Sequence, residues 1–190
     1  MALIFQLWIE GKDEESLQKL KLHFHNLDHT LLTGRTIRFG AYIENNDVPG
    51  LCVSSAYICG NGRGIENLRD ALEATETGIF LYHQLRNAPD FRFAHVGWDA
   101  ENITSVDLPG CVEAGLDGRK HFTGLRCVVN NELFNELGSP VSFWQFREGY
   151  WWRKYHGETY DPLFSDDQNE LRQLCEQLLP NNFDFSKPNT

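Results

Sequence analysis

Residues 2–9, ALIFQLWI, are apolar at odd and even positions alike, the pattern of a strand covered on both faces. The next stretch changes period. Leu17, Leu20, Phe24, Leu27 and Leu31 recur at steps of three and four, which predicts one long amphipathic helix. Acids cluster at its start and Thr33-Gly34 marks its end. TIRFGAYIE then alternates, with Ile37, Phe39, Ala41 and Ile43 on one face, and predicts a second strand. NNDVPG is a turn and LCVSSAYI a third strand. Ile65, Leu68, Leu72, Ile79, Tyr82 and Leu85 mark a second helix, and FRFAHVGW a fourth strand. Gly78 falls inside that helix at a cost of about 1 kcal/mol against Ala, so a bend or a close packing contact is expected there.

The order strand, helix, strand, strand, helix, strand is the split βαβ pattern of ferredoxin-like α+β folds: an antiparallel sheet with two helices. It covers residues 1–100. Residues 101–190 read as an elaboration of the same single domain. In it, CVEAG and HFTGLRCVV are strands about an LDGRK turn, and NNELFNEL is a short helix capped by Asn130 or Asn131. VSFWQFREGYWWRKYH is a hairpin turning near Arg147-Glu148-Gly149, and DQNELRQLCEQLL a last helix. A fold of this type hosts many functions, so the order of elements names none.

The aromatic share of 13% and the apolar share of 41% belong to a globular chain. The formal net charge of −10 repels polyphosphates and disfavours nucleic acid, while it suits a basic protein partner. From Glu158 onward seven acids stand against two bases, half of that net charge. The five cysteines are scattered, with no C-x-x-C spacing, which points to free thiols and a cytoplasmic setting. No apolar run approaches membrane-spanning length, so no membrane partner is expected. Self-association is left open by the sequence.

Candidate chemistry is sparse. Gly60, Gly62 and Gly64 follow a strand and precede a helix, but G-x-G-x-G is neither a dinucleotide nor a P-loop fingerprint. Glu66 in the first turn would repel a phosphate, so the loop reads as a tight turn. His25 and His29, one turn apart on the predicted first helix, could chelate a cation with Asp28, yet they fall on its solvent face and lack a catalytic Glu. His23 points elsewhere. Cys59 near a helix start, with His83, His95 or His121 as a base, is a remote nucleophile pair. No motif calls for a cofactor or a metal.

The strongest anomaly is the aromatic hairpin. Phe143, Trp144, Phe146, Tyr150, Trp151, Trp152 and Tyr155 occupy both parities, which one core can absorb only if both faces are covered. Trp144, Phe146, Arg147, Tyr150, Trp151, Trp152 and Arg153 together have the composition of an interface hot spot. The expectation from sequence is therefore a non-catalytic binding protein that docks a basic protein, comparable in size and charge to immunity proteins and antitoxins. The alternative is a small-molecule pocket, possibly enzymatic, between the sheet and the elaboration, lined by Cys59, His95, Trp98 and Asp99.

Overall fold

The computed structural model describes residues 3–45 and 47–158; the last predicted helix, Cys175 and most of the acidic C-terminal segment lie outside them. The architecture is α+β. Strands β1 (Phe5–Glu10), β4 (Gly40–Asn45), β5 (Pro49–Ser54), β6 (Phe93–Trp98), β9 (Cys127–Asn130), β10 (Trp144–Arg147) and β11 (Tyr150–Trp152) form one seven-stranded sheet. Its order is β10-β11-β9-β6-β1-β5-β4, and every pairing is antiparallel. Two small hairpins flank it: β2 (Asp28–Thr30) with β3 (Thr36–Arg38), and β7 (Val112–Ala114) with β8 (Lys120–Phe122).

Helices α1 (Glu14–Phe24) and α2 (Leu68–Arg86) cover one face of the sheet. Phe5, Leu7, Ile9, Leu51, Val53, Ala94, Val96 and Val128 point into that core, each at alternate strand positions. The opposite face carries Trp8, Cys52, Phe93, Cys127 and Val129 into a second core with Leu108, Phe122, Leu133, Phe134 and Phe143. That core is supplied by the segment after residue 99 and by helix α3 (Asn131–Glu136), whose N-cap is Asn130. Burial on both faces is why ALIFQLWI shows no alternation: all six residues of β1 are buried.

Several predicted boundaries shift, each for a local reason. The first helix ends at Phe24, because Asn26 takes φ 55 and turns the chain into β2. Leu27 and Leu31 lie four apart, a spacing that satisfies a helical stripe and strand alternation equally, and here it serves a hairpin. His25 is the C-cap and His29 sits in β2, so the predicted one-turn His pair does not form. TIRFGAYIE divides into β3 and β4, with Phe39 between them and 2% exposed. HFTGLRCVV likewise divides, β8 joining a side hairpin and β9 the main sheet.

Two glycines carry packing duties. At Gly78 an added Cβ would lie 2.7 Å from the Tyr155 hydroxyl, so close approach, not a bend, explains the residue. At Gly50 an added Cβ would overlap the indole of Trp8, which is fully buried. Gly50→Ala is expected to lower stability by about 2 kcal/mol through overpacking. Urea unfolding of the variant beside wild type checks this.

Candidate functional site

A cleft of about 670 Å³ opens where β1 ends. Its walls are the start of α1 (Asp13, Glu14, Leu17, Gln18, Lys21), the β4–β5 hairpin (Tyr42, Ile43, Asn45, Val48, Pro49) and Ser105-Val106. Glu10 and Gly11 lie at its base, with Lys12 and Arg92 beside them. The chain reaches this shape because β1 stops at Glu10 and turns directly into α1. Gly11 is required there, since a Cβ would meet Ser16 Oγ at 2.5 Å and Leu17 Cγ at 2.8 Å.

The start of α1 is self-contained. Asp13 Oδ1 accepts from the Ser16 N–H at 2.8 Å, and Ser16 Oγ accepts from the Asp13 N–H at 3.0 Å. Glu14 and Glu15 in the first turn match the helix dipole. An anion entering the cleft would face Asp13 and Glu14 and find the Asp13 and Ser16 N–H groups already engaged. Two of the three bases in the lining are tied outward, Lys12 to Asp90 at 4.0 Å and Arg92 to Glu136 at 2.8 Å, and Lys21 is the third.

Glu10 is the unusual member. It is 1% exposed, at the strand parity that points away from the helices. Its Oε1 accepts the Ser105 N–H at 2.7 Å and the Trp8 indole N–H at 3.4 Å. Its Oε2 has no hydrogen-bond partner. Burial raises the carboxyl above its usual range, against the opposing pull of Ser105, Trp8 and Arg92. Farther along the same face Cys52 donates to Gln6 Oε1 at 2.8 Å, and Gln6 in turn donates to Glu101. Burial pushes the Cys52 thiol up to about 12, which makes it a poor nucleophile near neutral pH.

The predicted aromatic surface is largely interior. β10 and β11 do not lie over an open face; they extend the sheet at one edge, β11 pairing with β9. Phe146 (1% exposed), Tyr150 (5%) and Trp152 (0%) belong to the helix-side core. Trp151 stacks on Phe134 at 4.4 Å and donates its indole N–H to Asn131. Arg147 donates to the carbonyls of Arg86 and Ala88, closing the C-terminus of α2, and lies over the Tyr150 ring. Arg153 donates to the Gly124 carbonyl. Trp144 alone of these seven is exposed, at 51%, with Lys154 over its ring.

The alternative pocket residues divide between the two faces, His95 on one and Cys59 and Trp98 on the other. His95 is buried on the elaboration face, donating from Nε2 to the Ala100 carbonyl at 2.7 Å. Trp98 packs on Phe5 on the helix side, and its ring lies against Gly60. Asp99 accepts the Ile4 N–H at 2.8 Å. Cys59 donates its backbone N–H to Glu73 and has the Arg35 guanidinium 3.6 Å from its sulfur. Cys59 and His95 therefore form no nucleophile–base pair.

The glycine loop is a fastening. Gly60, Gly62 and Gly64 have φ of 89, 89 and 87, and the Gly62 N–H reaches the Leu3 carbonyl at 2.7 Å. Asp70 on α2 accepts from Arg63, the Glu66 N–H and Asn67, so the loop's cation and the helix start are spent internally. Glu73 holds Arg35 and Cys59, and Glu76 holds the Leu32 N–H and stands 3.3 Å from His29. These three acids step by three along α2 and tie down both long loops. Among the described residues no cluster of His, Cys, Asp and Glu has metal-site geometry, and no helix is long and apolar enough to cross a membrane.

The chain matches no family model, no curated protein and no solved structure. Sequence reasoning missed the Glu10 cleft. The available signal was parity: Glu10 continues the Gln6–Trp8 positions of a strand with apolar residues on both faces, which allowed either burial or the polar end of a strand.

Proposed function

We propose that this is a non-catalytic binding protein whose ligand is a small molecule held in the cleft between α1 and the β4–β5 hairpin. The observation that carries the reading is the cleft itself: about 670 Å³, within the range of small-ligand sites, and walled by three separate parts of the chain. Ser105 and Val106 bring the elaboration into its wall, and none of Cys59, His95, Trp98 and Asp99 lines it. A fragment screen by ¹⁵N-correlated NMR on the full chain tests it. Fragments are expected to shift the amides of Gly11, Leu17, Ile43 and Ser105, and Val48→Trp, which puts an indole in the wall, to weaken them at least about tenfold by filling the space they occupy. Fragments that gather elsewhere, or ignore Val48→Trp, overturn it.

Docking of a basic protein is a second reading, supported by the net charge of −10 and the exposed Trp144. It predicts salt-sensitive association with a basic partner, which Trp144→Ala weakens. A ferredoxin-like βαββαβ core is supported by the order β6-β1-β5-β4, in which the first strand lies between the third and the fourth. The unbroken sheet from β4 to β10 supports one domain, and the four free cysteines among the described residues support a reducing, cytoplasmic setting.

A further inference from the structure

From the groups around the cleft we infer that its ligand is an organic cation, a primary ammonium or amidinium on an apolar body, anchored by the Glu10 carboxylate. This rests on the cleft being the binding site and goes further, to the chemistry it selects. The polar groups at the base of the cleft have been spent unevenly. At the α1 start the Asp13 and Ser16 N–H groups are engaged by the capping box, and three acids of the first turn and cap stand beside them. Lys12 and Arg92 are paired outward with Asp90 and Glu136. Lys21, two turns along α1, is the remaining cation of the wall, and among the buried groups an acceptor is left unmatched: Glu10 Oε2, on a side chain 99% buried, with no partner.

An unpaired buried carboxylate oxygen is a standing cost that a matching donor removes. A neutral donor would satisfy the oxygen, and a cationic one would also compensate the buried charge. The charged groups lining the cleft with Glu10 are the acids Asp13 and Glu14 and the bases Lys12, Lys21 and Arg92; with Lys12 engaged by Asp90 and Arg92 by Glu136, three carboxylates stand against Lys21, and the balance favours a positive guest. Leu17, Ile43, Val48, Pro49 and Val106 supply apolar wall for the ligand's body. Because Glu10 is covered in the unliganded chain, the ligand's donor reaches Oε2 only by displacing groups now packed on it. The Ser105 N–H, bonded to the other carboxylate oxygen, is the reporter of that event.

The experiment is an NMR titration of the full chain with benzylamine hydrochloride, benzyl alcohol and sodium benzoate at pH 7. The expected result is that benzylammonium shifts the Glu10, Gly11 and Ser105 amides with an affinity at least about tenfold above that of benzyl alcohol, with benzoate weakest. Glu10→Gln should abolish the preference, bringing benzylammonium down to the affinity of benzyl alcohol. Val106→Lys, on an exposed wall residue, keeps the test decisive if Glu10→Gln fails to fold, because a new cation beside the cleft should weaken benzylammonium several-fold more than the alcohol, which loses only the shared apolar contact. Equal binding of amine and alcohol, or a preference that survives either variant, overturns the cation inference while the cleft reading stands. If none of the three probes perturbs the cleft, both fail.

Discussion

Trp152→Ala is expected to destabilise the protein by about 3–5 kcal/mol, and Trp144→Ala by less than about 1 kcal/mol. The two indoles sit opposite each other in the β10–β11 register, and the sequence offers no reason to separate them. Their surroundings do. Trp152 is fully buried, with Phe146 at 5.5 Å and Tyr82 at 5.9 Å between ring centroids, in the core beneath α2. Its removal leaves a cavity that neighbours held in β-sheet geometry cannot fill. Trp144 is half-exposed and loses chiefly its contact with Lys154. Urea denaturation followed by fluorescence of the remaining tryptophans measures both. A small loss for Trp152→Ala would mean that the hairpin is not part of the fold's core. A functional assay on that variant would otherwise report unfolding and not a lost contact.

Acidification from pH 6.5 towards 4 is expected to remove about 2–3 kcal/mol of stability through His95 alone. Burial pushes its pKa from 6.5 down to about 4, against the smaller upward pull of the Ala100 and Ile103 carbonyls. Nε2 carries the proton that those carbonyls accept, at 2.7 and 3.2 Å, and Nδ1 is buried with no partner. A second proton would place an unpaired cationic N–H in the core. Above pH 6.5 the ring is neutral in folded and unfolded chains alike. As pH falls through that value the unfolded chain takes up a proton that the folded chain refuses, so the balance moves towards unfolding until about pH 4. Glu10, Glu101 and Glu158 act in the opposite sense, since burial raises each of them and the folded chain protonates first. The His95 share is isolated by comparing urea midpoints of wild type and His95→Gln at pH 7 and 4.5. The gap between them should narrow by about 2–3 kcal/mol at the lower pH; a constant gap would mean that His95 can be protonated in place.

Much of the strand and helix content was legible because it depends on short-range periodicity. The residues 14–24 and 68–86 show their stripes plainly, and the Asn130 cap and the Arg147–Gly149 turn follow from local chemistry. Ambiguity entered where one spacing serves two periods, as at Leu27 and Leu31. The candidate site was less legible. Glu10 looks like the polar end of a strand until the partners of its carboxyl are known, and those partners include Ser105, ninety-five positions away.

The sequence by itself determined that this chain has an α+β alternation, a strand buried on both faces at its start, and aromatic residues too numerous on the hairpin for one covered face. These follow from patterns within about ten residues, where backbone geometry alone sets which side chains share a side. Only the tertiary structure decided which aromatics are core and which is surface, that the glycine loop's cation is spent on Asp70, and that a carboxylate oxygen lies unpaired beneath a cleft. Those outcomes depend on contacts between distant segments, whose energies local composition does not record.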